Sequence, residues 1–155
     1  MAGASGIIIS VKPEHARNII AGRKTVELRR RFAKEAAIGR WMLLYASSPD
    51  QAIVGAARIE NVCRMVVESL WSTFRDQVCI PRSAFFRYFS GTKEGVGVIL
   101  GPVARFDRVI PASELRERFS FRPPQSYLYI SGQLTELLDD QRIQIPDRHE
   151  HRDRS

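Results

Sequence analysis

The segment GRKTVELR, residues 22–29, carries charged residues at a spacing suited to binding a phosphate or a base. On a strand, Glu27 and Arg29 project from the same face, and Lys24 precedes them after a glycine turn. The carboxylate can hold the guanidinium in place while its other donors contact phosphate, or it can accept a hydrogen bond from a base amine such as cytosine N4. The pattern predicts a cationic cleft. An ordinary surface Glu–Arg pair, worth about 0–1 kcal/mol, is the alternative.

Positive charge is concentrated around this segment. Residues 12–40 carry nine lysines and arginines against three glutamates, a net charge of +6, and the whole chain has a formal net charge of +7. A clustered positive surface favours a polyanionic partner, because bound phosphates release counterions. RNA or a nucleotide is the predicted partner, with DNA as an alternative. A role of the charge in solubility alone is the competing explanation.

Hydrolysis is a second hypothesis for the same residues. A lysine beside a carboxylate can activate water, so Lys24 and Glu27 are the candidate catalytic residues of a metal-independent hydrolase or nuclease. The sequence has no nucleotide-binding loop, serine-nucleophile or zinc-protease motif, and Cys63 and Cys79 lack metal-site spacing, so we predict no cofactor and no metal. His15 is predicted at the edge of the cleft rather than as a catalytic base. A module that binds an acidic protein is the third hypothesis.

Hydrophobic periodicity places these residues in a mixed arrangement of strands and helices. Strands are predicted at residues 6–12, 25–30, 40–48 and 52–65, and as two strands around Gly101 and Pro102 within 95–110. Helices are predicted from Pro13 to the glycine turn, and over 66–77, 82–91, 112–119 with Ser113 as cap, and 132–141. This order indicates one α+β domain over residues 1–145, with a curled or barrel-like sheet and short peripheral helices, and a charged, disordered tail over 146–155.

Aromatic residues cluster between residues 71 and 89. Core packing is their predicted role, because helical spacing would bury most of the rings. Base stacking is the alternative, because Arg75 and Arg87 are interleaved with them. Tyr127 and Tyr129 alternate on an extended segment after PPQS, where they are candidates for flanking a base.

The order of these segments resembles the ASCH domain, a relative of the PUA domain, over residues 7–130. The resemblance is carried by the GxKxxExR pattern of residues 22–29, the strand ending in YASSP, the strand VGAARIE and the PPQS stretch. It implies a small PUA-like β-barrel, with a cleft beside the first helix that binds RNA or modified nucleotides. The predicted nucleic-acid-binding residues are Lys12, Lys24, Glu27, Arg29, Arg30, Ser47, Ser48, Gln125, Ser126 and Tyr127.

One branch of this family resembles amidohydrolases that act on acetylated cytidine through a lysine and, three residues later, a threonine. This chain has the lysine, Lys24, but Glu27 replaces the threonine. The replacement argues against the same mechanism and leaves an amidohydrolase or ribonuclease that uses Lys24 and Glu27 as the enzymatic alternative. The two lone cysteines and the lack of a bilayer-length apolar run predict a cytoplasmic protein that does not enter a membrane.

Overall fold

The computed structural model describes residues 6–32 and 37–130, together with the single residues 138 and 141. These ranges contain six strands and four helices. In chain order they are β1 (Gly6–Val11), α1 (Pro13–Ile20), β2 (Val26–Arg29), β3 (Trp41–Ala46), β4 (Ala52–Val66), α2 (Val67–Phe74), α3 (Arg82–Tyr88), β5 (Glu94–Pro111), α4 (Ala112–Phe119) and β6 (Tyr127–Ile130).

All six strands belong to one sheet, in the order β2-β5-β4-β3-β1-β6. β1 and β3 run parallel, and every other neighbouring pair is antiparallel. The mixed α+β class is therefore confirmed. Within the described residues β2 and β6 remain edges of an open sheet, so the predicted barrel is not found there.

Side chains, rather than a ladder of backbone hydrogen bonds, connect the two ends of the sheet. Arg29, at the end of β2, donates from Nη2 to the Ser10 carbonyl oxygen of β1 at 2.8 Å. The Phe32 and Tyr127 rings pack with their centroids 5.4 Å apart. A closed barrel needs continuous strand pairing around its circumference, and the two edge strands have only four residues each. The remaining gap leaves room for a recess beside α1.

Helix α1 and the turn after it deliver the charged segment to this gap. Pro13 occupies the first helical turn, where its missing N–H leaves no intrahelical hydrogen bond unmade. Ala16 and Ile19 bury one face of the helix. Gly22 then adopts φ +77°, and the amides of residues 23 and 24 both donate to the Asn18 carbonyl oxygen at 3.0 Å. A left-handed turn of this kind favours glycine and sends the chain back into β2.

Two sequence predictions for the second half of the chain are wrong. β5 is continuous from Glu94 to Pro111, because the pairing partner shifts and accommodates Gly101 and Pro102: Ile59 pairs with Leu100, whereas Ala57 pairs with Val103. A bulge lets a strand absorb extra residues without ending. Helix α4 begins after Pro111, so Ser113 lies in its first turn and is not the cap.

The aromatic cluster packs mainly into the core, as the helical spacing predicts. Phe74, Phe85 and Phe89 are buried with Val26 and Leu28 under helices α2 and α3. Tyr88 is the exception, with 37% of its surface exposed.

Other predictions concern residues that are not described. The predicted helix over 132–141 lies outside the described residues apart from positions 138 and 141, and the tail over 146–155 lies wholly outside them. In the described part of the chain, no helix has the length and apolar character needed to cross a membrane.

Candidate nucleic-acid interface

A recess of about 400 Å³ opens between α1, β2 and the start of α3. We call it the charged cavity. Its polar lining comes from Ser10, Lys12, Glu14, His15, Asn18, Lys24, Glu27, Arg29, Cys79 and Tyr88.

Three charged side chains form the buried part of the charged cavity. Lys24, Glu27 and Arg29 are only 3%, 5% and 9% exposed. Lys24 Nζ lies 3.3 Å from Glu27 Oε2, and Arg29 Nε lies 3.4 Å from Glu27 Oε1. Two cations surround one carboxylate, so the group carries a net charge of +1. Burying such a group is costly unless its members are paired.

The pairing of these charges is incomplete. Although both cations lie within ion-pair distance of the carboxylate, Glu27 Oε2 and Arg29 Nε form no hydrogen bond with any described residue. A buried acceptor on Glu27 and a buried donor on the neighbouring Arg29 side chain therefore have unused hydrogen-bonding capacity. Unmet polar groups of this kind cost about 1–3 kcal/mol each, and a bound ligand can supply the missing partners.

His15 adds a neutral group beside Lys24. Its Nδ1 lies 3.4 Å from Lys24 Nζ. Burial lowers the pKa of His15 below its ordinary value of 6.5, and the nearby Lys24 charge lowers that pKa further. Glu27 and Glu14 oppose the shift. His15 is therefore uncharged near neutral pH, so it adds no further cation to the cavity and can accept a proton.

A second recess, of about 530 Å³, lies on the other side of Ser10. We call it the hydroxyl cavity, because its polar lining consists mainly of hydroxyl and amide side chains. These are Ser10, Tyr45, Ser47, Ser48, Gln51, Arg116 and Gln125. Burial raises the pKa of Tyr45, and the charge of Arg116 partly opposes that rise. The phenol is therefore protonated at neutral pH and is available as a hydrogen-bond donor.

Ser10 connects the two cavities. Its carbonyl oxygen accepts the Arg29 hydrogen bond from the charged cavity, and its hydroxyl donates to the Pro124 carbonyl oxygen beside the hydroxyl cavity. Its amide donates to the Ser126 carbonyl oxygen at 3.2 Å. Ser10 therefore links Arg29 to residues 124–126 through hydrogen bonds, so a movement of Arg29 can shift that segment.

The structure distributes the predicted binding residues over both recesses. The charged cavity contains Lys12, Lys24, Glu27 and Arg29. The hydroxyl cavity contains Ser47, Ser48 and Gln125. Three residues line neither recess: Ser126 contributes its carbonyl to Ser10, Tyr127 packs on Phe32, and Arg30 stacks on the ring of Tyr88.

Several lining residues have no clear signal in the sequence. Tyr45 lies in the continuously buried strand β3, where no alternation distinguishes one position from the next. Arg116 is one of several exposed charges on α4, and Cys79 follows a helix as a lone thiol. Within residues 6–32 and 37–130, no three histidine, cysteine or acidic side chains converge as metal ligands would.

The sequence and fold of this chain are similar to those of known proteins. A family model described as a domain of unknown function (DUF365) matches residues 4–117. A curated relative, the ASCH domain-containing ribonuclease of Zymomonas mobilis, is 33% identical over 132 residues, which cover 84% of this chain and 88% of the relative. The chain belongs to the ASCH-domain family.

Solved structures support the same relationship. The crystal structure of ASCH from Zymomonas mobilis superposes with a TM-score of 0.82 at 30% sequence identity, covering 87% of this chain and 94% of that chain. A tyrosine-to-phenylalanine variant of the Zymomonas protein gives a TM-score of 0.82 at 29% identity, covering 87% of this chain and 96% of that chain. The shared fold therefore extends over most of both proteins.

Proposed function

We propose that this protein binds RNA and holds one nucleotide in the charged cavity. The observation that carries the proposal is the buried pair of unmet atoms, Glu27 Oε2 and Arg29 Nε. Both atoms are enclosed, so a ligand bonds to them once the two side chains shift towards the cavity, and it must then offer a donor to Glu27 and an acceptor to Arg29, as the edge of a nucleobase does. A phosphate presents acceptors only and would place negative charge against Glu27.

The surrounding charge favours a polyanion around that base. Lys12 lines the charged cavity and is exposed, so it can contact a phosphate without leaving a buried charge unpaired. The name of the Zymomonas relative, a ribonuclease, also supports RNA as the ligand class. The two free thiols, Cys63 and Cys79, support a cytoplasmic location for this function.

Fluorescence anisotropy with labelled single-stranded RNA over a salt series tests the proposal. Binding should weaken as salt rises, and Lys12→Ala should reduce the slope of log K against log salt by about 0.7, the loss of one phosphate contact on a single strand. Lys93→Ala removes an exposed lysine outside both cavities and is the matched control. Salt-independent binding, or equal effects of both variants, would contradict the proposal. Recovery of an acidic protein without RNA binding would favour the third hypothesis.

RNA cleavage is a second candidate, favoured by the neutral His15 beside Lys24. In this reaction the imidazole takes the proton of the ribose 2′-hydroxyl, and the 2′-oxygen forms a bond to phosphorus. The bond from phosphorus to the 5′-oxygen breaks, that oxygen receives a proton from water, and the hydroxide left behind takes the proton from the imidazolium, which restores neutral His15. The ammonium of Lys24 stabilises the negative charge that develops on the phosphoryl oxygens.

The chemical state of the RNA after incubation separates cleavage from binding. If His15 is the base, His15→Gln should lower the cleavage rate by about 100-fold or more while changing RNA affinity little. Glu68→Gln introduces the same residue at an exposed position outside both cavities and is the matched control. Intact RNA with the wild-type protein, or cleavage that survives His15→Gln, would rule out this assignment.

A further inference from the structure

Arg30 and Tyr88 form a stacked pair beside the charged cavity, and the proposed nucleotide site does not use it. The guanidinium carbon of Arg30 lies 5.1 Å from the centroid of the Tyr88 ring. Arg30 Nε also donates a hydrogen bond to the Tyr88 carbonyl oxygen. Two contacts with one residue hold the guanidinium in place, so a ligand that binds it pays little for ordering the side chain.

The Tyr88 ring is held from the protein side as well. It packs edge-on with Phe89, with centroids 4.8 Å apart, and Phe89 is only 2% exposed. The Tyr88 hydroxyl lies 3.5 Å from the Leu28 carbonyl oxygen of β2. The ring is therefore attached both to the core and to the strand that carries Glu27 and Arg29. Arg30, in contrast, is exposed.

The pair extends from the charged cavity to the surface outside it. Tyr88 lines the cavity, whereas Arg30 does not. A group bound in the cavity is therefore adjacent to Tyr88, and a group stacked on Arg30 lies outside the cavity. Two binding positions side by side, one enclosed and one open, suit neighbouring nucleotides of one strand.

We propose that a base of single-stranded RNA stacks on the Arg30 guanidinium, supported by Tyr88, next to the nucleotide held in the charged cavity. This inference rests on the proposed RNA-binding function and specifies its ligand as an unpaired oligonucleotide rather than a free nucleotide. Unpaired bases are available for stacking on arginine planes and aromatic rings, whereas bases within a duplex are already stacked on their neighbours. Such stacking tolerates any base, so this position contributes affinity and the cavity contributes selectivity.

The arginine run provides matched variants for a test. Arg30→Lys keeps the positive charge but removes the planar guanidinium and its Nε donor. Arg31→Lys makes the same substitution at the next residue, which is exposed and has no aromatic contact among the described residues. Anisotropy would compare binding of a labelled single strand of about six nucleotides, within the usual site size, with competition by mononucleotides.

Arg30→Lys should weaken binding of the oligonucleotide about tenfold while leaving its salt slope and mononucleotide competition unchanged. Arg31→Lys should remain within about twofold of the wild type. As a second measurement, a single abasic site is moved along the strand. At the position whose base stacks on Arg30, the missing base should weaken binding to the wild type but should not weaken binding to Arg30→Lys any further.

Three results would overturn the stacking inference while RNA binding stands. In the first, Arg30→Lys binds the oligonucleotide as tightly as the wild type does. In the second, Arg30→Lys loses as much affinity for mononucleotides as for the oligonucleotide. In the third, Arg30→Lys and Arg31→Lys weaken oligonucleotide binding equally. If the wild-type protein binds neither the oligonucleotide nor mononucleotides, the proposed function itself fails. The two failures are therefore distinguishable.

Discussion

The charged cavity and the hydroxyl cavity share Ser10 but differ in construction. The charged cavity depends on three buried charges from β2 and the turn before it. The polar lining of the hydroxyl cavity is mainly uncharged, with buried Tyr45 on β3 and exposed Arg116 on α4, and its exposed hydroxyl and amide groups belong to Ser48, Gln51 and Gln125. Buried charges must be compensated by one another, whereas exposed hydroxyls and amides are compensated by water. The fold therefore constrains the charged cavity much more tightly.

Each cavity also contains one titratable group whose neutral form is favoured by burial. Burial lowers the pKa of His15 and raises the pKa of Tyr45. The neighbouring cations act in opposite senses: Lys24 reinforces the shift of the histidine, whereas Arg116 opposes the shift of the tyrosine. The charged cavity therefore resists additional positive charge, and the hydroxyl cavity retains a phenolic proton.

The largest predicted effect tests whether the buried charges hold the charged cavity together. Glu27→Gln leaves Lys24 and Arg29 buried without their counter-charge, and should lower the free energy of unfolding by about 3–5 kcal/mol. Chemical denaturation measures this, with Glu14→Gln, at a glutamate whose side chain is 67% exposed, as control. A loss below about 1 kcal/mol would show that water compensates the two cations, which would remove the contrast between the cavities.

Ser10→Ala tests the connection between the cavities. The substitution removes the hydroxyl donor to the Pro124 carbonyl oxygen and should lower the free energy of unfolding by about 1 kcal/mol. It should also raise the amide hydrogen-exchange rate of residues 125–127, because the segment loses one of its contacts with β1. Ser47→Ala, in the hydroxyl cavity alone, should change stability by less than about 0.5 kcal/mol. Equal effects of the two variants would contradict the connecting role.

Gly22→Ala tests the turn that places Lys24 in the charged cavity. Gly22 has φ +77° and open space around it, so the added methyl group should cost about 1 kcal/mol through backbone strain alone. Gly91→Ala is a close match, because Gly91 has φ +83° and also faces open space. Both variants should lose similar stability, but only Gly22→Ala should weaken RNA binding. Equal RNA affinities would show that the turn does not control the position of Lys24.

The last prediction concerns the pH dependence of stability, which His15 of the charged cavity should affect near neutral pH and Tyr45 of the hydroxyl cavity should not. Because the folded protein lowers the pKa of His15, the unfolded chain takes up a proton first as pH falls below 6.5. His15 should therefore leave the free energy of unfolding unchanged above pH 6.5. As pH falls from 6.5 through the pKa of His15 in the folded protein, His15 should lower the free energy of unfolding. The slope from this single proton cannot exceed about 1.4 kcal/mol per pH unit.

Unfolding measured between pH 7.5 and pH 5 in the wild type and in His15→Gln isolates this contribution. The wild type should lose more stability than the variant over this range, because glutamine does not titrate. Parallel curves would show that His15 is not held neutral by the fold. A variant that loses more stability than the wild type would reverse the predicted sign.

Local pattern was sufficient to predict much of the charged cavity. The alternation in residues 25–30 separates Glu27 and Arg29 from Val26 and Leu28, and Gly22 marks the turn that precedes them. These features depend on neighbouring residues only, because side-chain direction in a strand has a period of two and a left-handed turn favours glycine. The structure buries Val26 and Leu28 in the aromatic core and directs Glu27 and Arg29 to the cavity.

Features that depend on the order of strands were not predictable in this way. Ser47 and Gln125 were expected near Lys24, but they line a second recess beyond Ser10. The open sheet, the bulge that keeps β5 continuous and the contact of Arg29 with Ser10 all join segments that are distant in sequence. The periodicity of side chains within one strand does not predict such contacts, because they depend on the order of the strands, which places β2 and β6 at opposite edges of one sheet.

Periodicity and turn chemistry thus specified the charged strand, its glycine turn and the order of the surrounding elements. Tertiary packing decided which charges became buried, which polar atoms were left without partners and which arginine of the run met an aromatic ring. Burial and long-range pairing arise only when the separate elements assemble. The three consecutive arginines therefore have different environments: Arg29 is buried, Arg30 stacks on an aromatic ring and Arg31 is exposed.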